Sequence, residues 1–278
     1  MKAGLVSRID KPEALEVARE IVNYLEYKGV QVQMETEAAL IMDMPGGNSD
    51  IGEMEADFMV TVGGDGTILR TAMQMREPET PIIGVNLGSR GFLTEVYPKD
   101  VKPALDMILS GDYELEECLK LSSKNPDMDR DFPDCLNEVL IASPLPSKAL
   151  DARISIDGKQ ILDIQADGII AATPTGSTAY NLSAGGSIIS PEVEATILTA
   201  ICPYSYFRSI VVPKDSRITI ELLKPKADAL VIIDGRDYTA VRPQSSIDVW
   251  ASQHKARFIR FRSFYERLER RLVFRRVK

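Results

Sequence analysis

An aspartate lies inside a glycine-rich turn in the first half of the chain. The apolar run Phe58–Val62 predicts a buried strand, GGDGT at 63–67 a turn, and Ile68–Met75 a helix. A strand, a glycine-rich turn and a helix N-terminus form an anion site, because free N–H groups and the positive end of the helix dipole face the same place. Asp65 would repel a phosphate there unless its carboxylate binds a metal ion, accepts a proton from an attacking hydroxyl, or caps the helix. These three roles stay open at the level of sequence.

A second polar segment, DGIIAATPTGSTAYNLSAGGSI, runs from Asp167 to Ile188. An apolar run passes there directly into a turn rich in glycine, serine and threonine, which brings backbone groups close to a polar ligand. Tyr180 adds a flat ring with a polar tip that can pack against a base or a sugar. The alternative is a plain strand, turn and helix N-terminus, capped by Ser177 or Thr178. The other residues that favour close approach or hydrogen bonding are Gly176, Asn181, Ser183, Gly185 and Gly186.

No standard nucleotide-binding loop is present. The chain lacks the GxxxxGK[ST] pattern, and it lacks a strand-linked GxGxxG with an acidic residue after the next strand. A single histidine, His254, excludes a multi-histidine metal site. Cys118, Cys135 and Cys202 also lack metal-ligand spacing, and their odd number without a secretion signal predicts reduced thiols. Any phosphate chemistry is therefore of another kind, and any catalytic base is predicted to be a carboxylate.

The composition limits the possible partners. The chain has 278 residues, of which 44% are hydrophobic, enough for two modest domains. Its 33 basic and 41 acidic residues give a net charge of −8, which argues against a general nucleic-acid binder and against an anionic-membrane binder. No apolar run has the length of a membrane span, and the N-terminus has no signal-peptide pattern. We therefore expect a cytoplasmic protein.

Basic residues crowd the end of the chain. We interpret them as a solvated helix face, and the alternative is an inter-subunit or polyanion contact. These residues are Arg267, Arg270, Arg271, Arg275, Arg276 and Lys278.

The first part of the chain predicts alternating strands and helices. Pro12 follows Asp10 at the start of an amphipathic helix that Gly29 ends. A short helix is expected at Thr36–Ile41 and another at about 100–109. The predicted strands are 5–7, 30–34, 58–62 and 82–85. This βαβα order indicates a parallel sheet covered by helices.

After Cys118 the pattern changes to strands. Asp157-Gly158 and Asp234-Gly235 are hairpin turn signals, and the charged stretch Lys124–Asp134 is predicted to be a loop. The predicted strands are 136–142, 152–156, 159–164, 168–172, 218–223, 230–233 and 239–242. The second part of the chain is therefore predicted to be a β-rich domain.

Together these segments resemble the NAD kinase family, whose members transfer a phosphoryl group to the 2′-hydroxyl of the adenosine ribose of NAD. GGDGT at 63–67 is similar to one family motif, Asn137-Glu138 to its NE motif, and 167–186 to its long glycine-rich motif. GVNLG at 84–88 with GFLT at 91–94 resembles another family segment. GGDGT alone also occurs in phosphofructokinases and lipid kinases, whereas the segments in this order are specific. The resemblance extends from the first strand to the closing segment 264–274.

The resemblance implies a two-domain architecture. An α/β domain with a Rossmann-like parallel sheet is expected over 1–117, and a β-rich, sandwich-like, NAD-binding domain over 118–250. The C-terminal segment 251–278 is expected to pack back on the first domain. Family members are usually homodimers or homotetramers, so an oligomer is expected too.

The resemblance assigns the donor side of the reaction to the first turn. Asp65 matches the family's essential aspartate, which accepts the proton of the ribose 2′-hydroxyl or orients that hydroxyl against the donor phosphate. Mg²⁺ or another divalent metal would carry part of the developing charge, with ATP or polyphosphate as donor; the sequence indicates no ligands for the metal. The donor phosphates would lie against Gly63, Gly64, Gly66 and Thr67, with Asn86 as a weaker contact or a turn residue.

NAD recognition is implied for residues of the second domain. Asn137 would bind an adenine edge, Glu138 would accept from ribose hydroxyls, and Asp167 would bind the ribose on the nicotinamide side. The family's adenine pocket is matched by Thr178, Ala179, Tyr180 and Ser183, and contacts from Asp65 and Gly66 complete the NAD-binding set. Asp234 is a weaker candidate that the Asp-Gly turn explains equally well.

The chain departs from the family pattern at two places. Tyr204 stands where relatives often carry histidine, which affects a contact to the nicotinamide half or across a subunit boundary. Ser89-Arg90 replaces the more usual Arg-Leu pair before Gly91, a change that bears on how the donor is held.

Three alternatives to an NAD kinase share parts of these motifs. A lipid or sphingoid-base kinase would need an apolar entrance for acyl chains, whereas Asn137, Glu138 and 176–183 are polar. A phosphofructokinase-like sugar kinase would need a basic cluster for a sugar phosphate, which the sequence does not show. A non-catalytic dinucleotide sensor would keep the pocket without turnover, and the presence of Asp65 argues against it.

Overall fold

A computed structural model describes residues 1–44, 47–88, 91–145, 148–224 and 228–272. The chain divides into two compact units, Met1–Glu117 with Ala256–Lys278, and Cys118–Lys255. The Ser89-Arg90 departure and the terminal residues Arg275, Arg276 and Lys278 lie outside the described residues.

The first unit alternates strands and helices, as the sequence predicts. Its helices are α1 (Pro12–Tyr27), α2 (Thr36–Ile41), α3 (Asp65–Gln74), α4 (Val101–Ser110) and, at the end of the chain, α6 (Phe264–Leu272). Its strands are β1 (Lys2–Ser7), β2 (Gln31–Glu35), β3 (Asn48–Ser49), β4 (Phe58–Gly63), β5 (Ile82–Asn86), β6 (Glu114–Cys118) and, after the second unit, β19 (Ala256–Arg260).

A parallel sheet forms the centre of this unit. The described strands follow the order β3-β2-β1-β4-β5-β19-β6, and β1, β2, β4 and β5 pair in parallel. The core lies between sheet and helices because α1 turns Ala18, Ile21 and Leu25 inward at helical spacing. β19 pairs in parallel with β5 through Phe258 and Ile82, so the end of the chain completes the first sheet. The predicted parallel sheet and the return of the C-terminal segment are confirmed.

The second unit is built from strands. Its strands are β7 (Leu121–Asn125), β8 (Arg130–Cys135), β9 (Glu138–Ala142), β10 (Leu150–Ile156), β11 (Lys159–Ala166), β12 (Gly168–Ala172), β13 (Ala195–Ile201), β14 (Ser209–Pro213), β15 (Ile218–Leu222), β16 (Ala229–Ile233), β17 (Asp237–Val241) and β18 (Ser246–Ala251). The single short α-helix described within it is α5 (Tyr180–Ser183).

Two antiparallel sheets contain these strands. Among the described residues, one has the order β11-β10-β15-β18-β7-β8 and the other β14-β13-β12-β9-β16-β17. Asp157 and Asp234 have φ of 51° and 49° and each begins a tight hairpin with the following glycine, as predicted. The prediction of a loop at Lys124–Asp134 is wrong, because this stretch forms most of the β7–β8 hairpin. Buried and half-buried residues alternate along β7, because one face of this strand packs inward.

Candidate active site

The GGDGT turn lies at the carboxyl edge of the parallel sheet. β4 ends at Gly63, which lies opposite Asn86, the last residue of β5. Gly64 is the N-cap of α3, and Asp65 is its first residue. The first helical N–H groups therefore face this edge, as the sequence predicts for an anion site.

The Asp65 carboxylate does not cap α3; it binds the backbone of a neighbouring loop instead. Its Oδ2 accepts a hydrogen bond from the Phe92 N–H at 2.7 Å, and its Oδ1 accepts one from the Leu93 N–H at 3.1 Å. Each oxygen keeps a further lone pair. The capping role is thereby excluded, and the carboxylate is held in one orientation at the edge of the sheet.

Asn86 has one bonded and one unbonded amide atom. Its Oδ1 accepts a hydrogen bond from the Gly88 N–H at 2.9 Å, which fixes the turn after β5. Its Nδ2 is buried and has no hydrogen-bond partner among the described residues. A buried donor without a partner is costly unless a ligand satisfies it. Thr67, also buried, donates its N–H to the Gly64 carbonyl at 2.9 Å within the turn.

Two arginines of α6 contradict the interpretation of the C-terminal basic residues as a solvated helix face. That prediction is wrong for Arg267, which is 7% exposed and forms an ion pair with Glu116. It is also wrong for Arg271, whose Nη2 donates to Thr94 Oγ1 at 3.2 Å. Burial lowers the pKa of Arg271, whereas the negative charge of Asp65 opposes that shift. Helical periodicity could not show this, because the covering residues are distant in sequence.

In the second unit, Asn137 and Glu138 are held at the start of β9 by the carboxylate of Asp234. Asp234 Oδ2 accepts from the Leu136 N–H at 2.8 Å, and its Oδ1 accepts from the N–H groups of Asn137 and Glu138 at 2.8 and 3.0 Å. Asp234 is 6% exposed. Its side chain therefore positions the Asn137-Glu138 pair, in addition to beginning its own hairpin turn.

The glycine-rich turn packs against the same pair. Thr173 donates its Oγ1 hydrogen to the Leu136 carbonyl at 2.6 Å and its N–H to the Asn137 carbonyl at 2.8 Å. A Cβ on Gly176 would lie 2.6 Å from the Cα of Asn137, so a side chain there would displace the backbone. Glycine is therefore required at 176 by close approach of two backbone segments.

The polar side chains of this turn divide into two groups. Ser177 and Asn181 are fully buried and bond within the turn: Ser177 Oγ accepts from the Ile189 N–H at 2.9 Å, and Asn181 Nδ2 donates to the Ser177 carbonyl at 2.9 Å. The hydrogen-bonding capacity that the sequence indicated for Asn181 is used within the folded turn, and so is that of Ser177. Tyr180 and Ser183 are exposed, whereas Ala179 is half-buried. Thr178 is 8% exposed and donates to the Thr175 carbonyl at 3.1 Å.

Asp167 and Tyr204 lie at the opposite end of β12 from Asn137 and Glu138. Asp167 is exposed just before β12 and donates its N–H to the Ile201 carbonyl at 2.9 Å. Tyr204 is 80% exposed and donates its N–H to the Gln165 carbonyl at 2.9 Å. β12 has five residues, so about 17 Å of extended strand separates the two groups.

Glu138 is a buried carboxyl group with an unusual titration. Burial raises its pKa to about 8, with a further contribution from the negative charge of Asp234. Its Oε2 is buried without a hydrogen-bond partner in the described part of the chain. Burial also raises the pKa of Asp234, but its three bonds from N–H groups and the charge of Lys120 favour the ionised form. With a pKa of about 8, Glu138 keeps its proton at neutral pH.

This titration predicts how stability depends on pH. Glu138 binds its proton more tightly in the folded chain than at its ordinary pKa of 4.5, so the free energy of unfolding should fall as pH rises from about 4.5 to about 8. Each pKa unit corresponds to about 1.4 kcal/mol, which gives a limit of roughly 4–5 kcal/mol. Glu138→Gln, which mimics the protonated group, should match the wild type in melting temperature at pH 5 and exceed it at pH 9. An equal decline in both proteins would show that Glu138 is not the titrating group.

Metal-binding side chains are sparse. Within the described ranges, no group of three or more His, Cys, Asp or Glu residues could hold a metal ion.

No helix in the described part of the chain is long and apolar enough to cross a membrane.

Two protein-family models match this chain, one in its first part and one in its second part. Residues 46–113 match the ATP-NAD kinase N-terminal domain, and residues 136–261 match the ATP-NAD kinase C-terminal domain. The chain belongs to the NAD kinase family. It is 38% identical over 278 residues to the NAD kinase of Methanothermobacter thermautotrophicus, covering 98% of this chain and 96% of that one. It is 40% identical to that of Methanopyrus kandleri over 273 residues, covering 97% and 96%.

Solved structures of the family have the same fold. An NAD kinase from Archaeoglobus fulgidus in complex with ATP is 27% identical, with a TM-score of 0.78 over 97% of this chain and 99% of that chain. Yeast NADH kinase complexed with NADH has a TM-score of 0.88 over 100% of this chain and 90% of that chain, at 24% identity. The predicted family, the α/β and β-rich fold and the phosphotransferase class are confirmed. The lipid-kinase, sugar-kinase and sensor alternatives are not favoured.

Proposed function

We propose that this chain phosphorylates the 2′-hydroxyl of the adenosine ribose of NAD, with ATP or polyphosphate as donor, to form NADP. The observation that carries the proposal is the carboxylate of Asp65 at the N-terminal end of α3, held by two backbone N–H groups. A carboxylate and a helix N-terminus at one edge of the sheet suit a phosphoryl transfer to a hydroxyl. The relatives named NAD kinase support this acceptor.

Asp65 would act on the acceptor hydroxyl. A free hydroxyl has a pKa far above neutral, so a positioned carboxylate helps mainly as the proton leaves in the transition state. The bonds from the Phe92 and Leu93 N–H groups leave lone pairs on both oxygens for that proton. The carboxylate therefore has acceptor positions available for it.

The donor phosphates would lie against the turn from Gly63 to Thr67. Backbone N–H groups at a helix start stabilise negative charge that develops during transfer. Asn86 supports this assignment, because its unpartnered Nδ2 lies on the strand next to Gly63 and would gain a phosphate oxygen as partner. The complex of the Archaeoglobus relative with ATP supports ATP as the donor, and polyphosphate is proposed on the same backbone recognition.

The dinucleotide would bind along the β12 sheet of the second unit. Asn137 and Glu138 would contact the adenosine half together with Thr178, Ala179, Tyr180 and Ser183. Glu138 keeps its proton at neutral pH, so it would donate a hydrogen bond as well as accept one. Asp167 would bind the nicotinamide ribose, as the resemblance to the NAD kinase family implies.

The side chains of this site would hold a divalent metal such as Mg²⁺ only together with phosphate oxygens of the substrate. Mg²⁺ is commonly held by one or two carboxylates together with substrate phosphates, and the described residues form no larger cluster. Asp65 is the acidic side chain that would contact it. Such an ion would supply positive charge that offsets the negative charge of the transferring phosphate.

An assay of NADP formation tests the function. The protein is incubated with NAD, magnesium and either ATP or polyphosphate, and NADP is read with an NADP-specific dehydrogenase. NADP formed with either donor supports the proposal and identifies the donor. If NAD raises the melting temperature but neither donor yields NADP, the chain is a dinucleotide sensor or uses another acceptor. The predicted homo-oligomer, the cytoplasmic location and the role of Tyr204 stay predictions.

A further inference from the structure

We propose that Arg260, on the C-terminal strand β19, is a positioning residue for Asp65 and acts through the backbone of Leu93. The inference rests on the proposed function, because it assigns to Arg260 a role in orienting the catalytic carboxylate. Arg260 is separated from Leu93 by 167 positions in sequence. No sequence motif marks it.

The loop from Gly91 to Glu95 is the element that Arg260 fixes. Its Phe92 and Leu93 N–H groups hold the two oxygens of Asp65. A Cβ on Gly91 would lie 2.7 Å from Asp65 Oδ1 and 2.8 Å from Thr94 Oγ1, so a side chain at this position would not fit between the loop and the carboxylate. The orientation of Asp65 therefore depends on where this loop lies.

Arg260 hydrogen-bonds the same loop that holds Asp65. Its side chain is 4% exposed, and its Nη1 donates to the Leu93 carbonyl at 2.8 Å and to Glu95 Oε2 at 3.3 Å. Leu93 is thereby bonded at both ends, its N–H to Asp65 and its carbonyl to Arg260. A bond from a charged donor is stronger than one between neutral groups, which favours this role.

The two residues after Arg260 also hydrogen-bond the loop from Gly91 to Glu95. The Phe261 N–H donates to Glu95 Oε1 at 3.0 Å, and Arg262 Nη1 donates to the Glu95 carbonyl at 2.8 Å. Arg260 itself is oriented by Glu116, whose Oε2 accepts from its Nε at 2.7 Å. The loop is thus fixed by three consecutive residues of the returning chain.

Lysine cannot reproduce this arrangement. The guanidinium of Arg260 donates in different directions to Glu116, Leu93 and Glu95 at once, which requires its planar set of donors. Lysine keeps the charge but has a single nitrogen. Arg260→Lys therefore loosens the loop while leaving Glu95 and Glu116 with a cationic neighbour, which makes it a milder test than removal of the charge.

The matched control is Arg257→Lys on the same strand. Arg257 pairs with Glu117 at 3.2 Å and with Glu79 at 3.0 Å, and it is partly exposed. None of its ion pairs in the described part of the chain involves the loop from 91 to 95. This variant reports any general effect of replacing an arginine of β19 by lysine.

The test is a double-mutant cycle in the kcat of NADP formation. Because small displacements of a reacting group cost about tenfold to hundredfold in rate, Arg260→Lys should lower kcat by about tenfold or more, with the KM for NAD within about twofold. In an Asp65→Asn background the same change should have little further effect, since the group that Arg260 orients is gone. Arg257→Lys should be neutral in both backgrounds. Equal losses in both backgrounds, or no loss in either, would overturn the proposal.

Hydrogen exchange of the Phe92 and Leu93 amides tests whether Arg260 fixes the loop, and this measurement does not depend on NADP formation. Arg260→Lys should speed their exchange about tenfold or more relative to amides of β1, and Arg257→Lys should not. Unchanged exchange would refute the positioning role even if the enzyme is active. Absence of NADP from the wild type would instead refute the proposed function and leave this measurement valid.

If Arg260→Lys does not fold, Glu116→Gln replaces it in both measurements with the same outcomes, because it removes the anion that orients the guanidinium.

Discussion

Asp65→Asn is expected to lower the kcat of NADP formation by about 10²–10⁴-fold, the range attributed to general acid–base catalysis, while NAD still binds. The variant loses the proton acceptor and keeps nearly the same volume. Its amide nitrogen would also face the N–H of Phe92 or Leu93, which adds a local mismatch between donors. The measurement is kcat from the coupled assay, together with NAD affinity by calorimetry.

Asp112→Asn is the control for this prediction. Asp112 is an exposed carboxylate after α4 in the same unit, and its replacement should leave both kcat and affinity unchanged. Near-normal turnover of Asp65→Asn would show that Asp65 is not the base. Loss of NAD affinity parallel to the loss of kcat would indicate a binding role instead.

Asp234→Asn is expected to lower the free energy of unfolding by about 2–3 kcal/mol at neutral pH. One carboxylate oxygen becomes an NH₂ group, and the Leu136 N–H or the pair from Asn137 and Glu138 then faces a donor in a buried site. Since Glu138 is protonated at this pH, removal of the Asp234 charge relieves little repulsion. The loss of the hydrogen bond therefore destabilises the fold by more than the reduced repulsion stabilises it.

The pH dependence distinguishes this mechanism from simple loss of packing. As pH rises through about 8, Glu138 ionises in the wild type beside the charge of Asp234, whereas the variant carries no such charge. The stability difference between the two proteins should therefore shrink between pH 6 and pH 9. Chemical unfolding at both pH values gives the difference. Asp237→Asn is the control, because that half-buried carboxylate accepts only a 3.4 Å bond from Thr239 among the bonds described. A pH-independent difference would contradict the pairing of Asp234 with Glu138.

Local patterns in the sequence were sufficient to predict the elements that carry the site. The apolar run before GGDGT and the helix after it predicted β4 and α3, because burial period and glycine placement act over a few residues. The Asp-Gly pairs predicted two hairpins for the same reason. The charged β7–β8 hairpin was missed, because polar side chains on an exposed face obscure a strand whose inner face is buried.

The chemistry of single side chains could be predicted only in part. The sequence indicated Asp65 and the Asn137-Glu138 pair, but it could not show that Ser177 and Asn181 bond within their own turn. It also placed Arg267 in solvent, although the fold buries it against Glu116. In each case the residue type suggests what a group can bond, whereas the partner is chosen by packing.

The sequence by itself determined the family, the order of strands and helices, and the presence of a carboxylate in a glycine-rich turn. Only the tertiary structure decided that Asp65 is held by Phe92 and Leu93, that Asp234 positions Asn137-Glu138, and that Arg260 returns from the end of the chain to the same loop. The reason is physical. Periodicity and turn chemistry act between near neighbours, whereas the orientation and ionisation of a buried carboxylate depend on donors and charges that folding brings from distant parts of the chain.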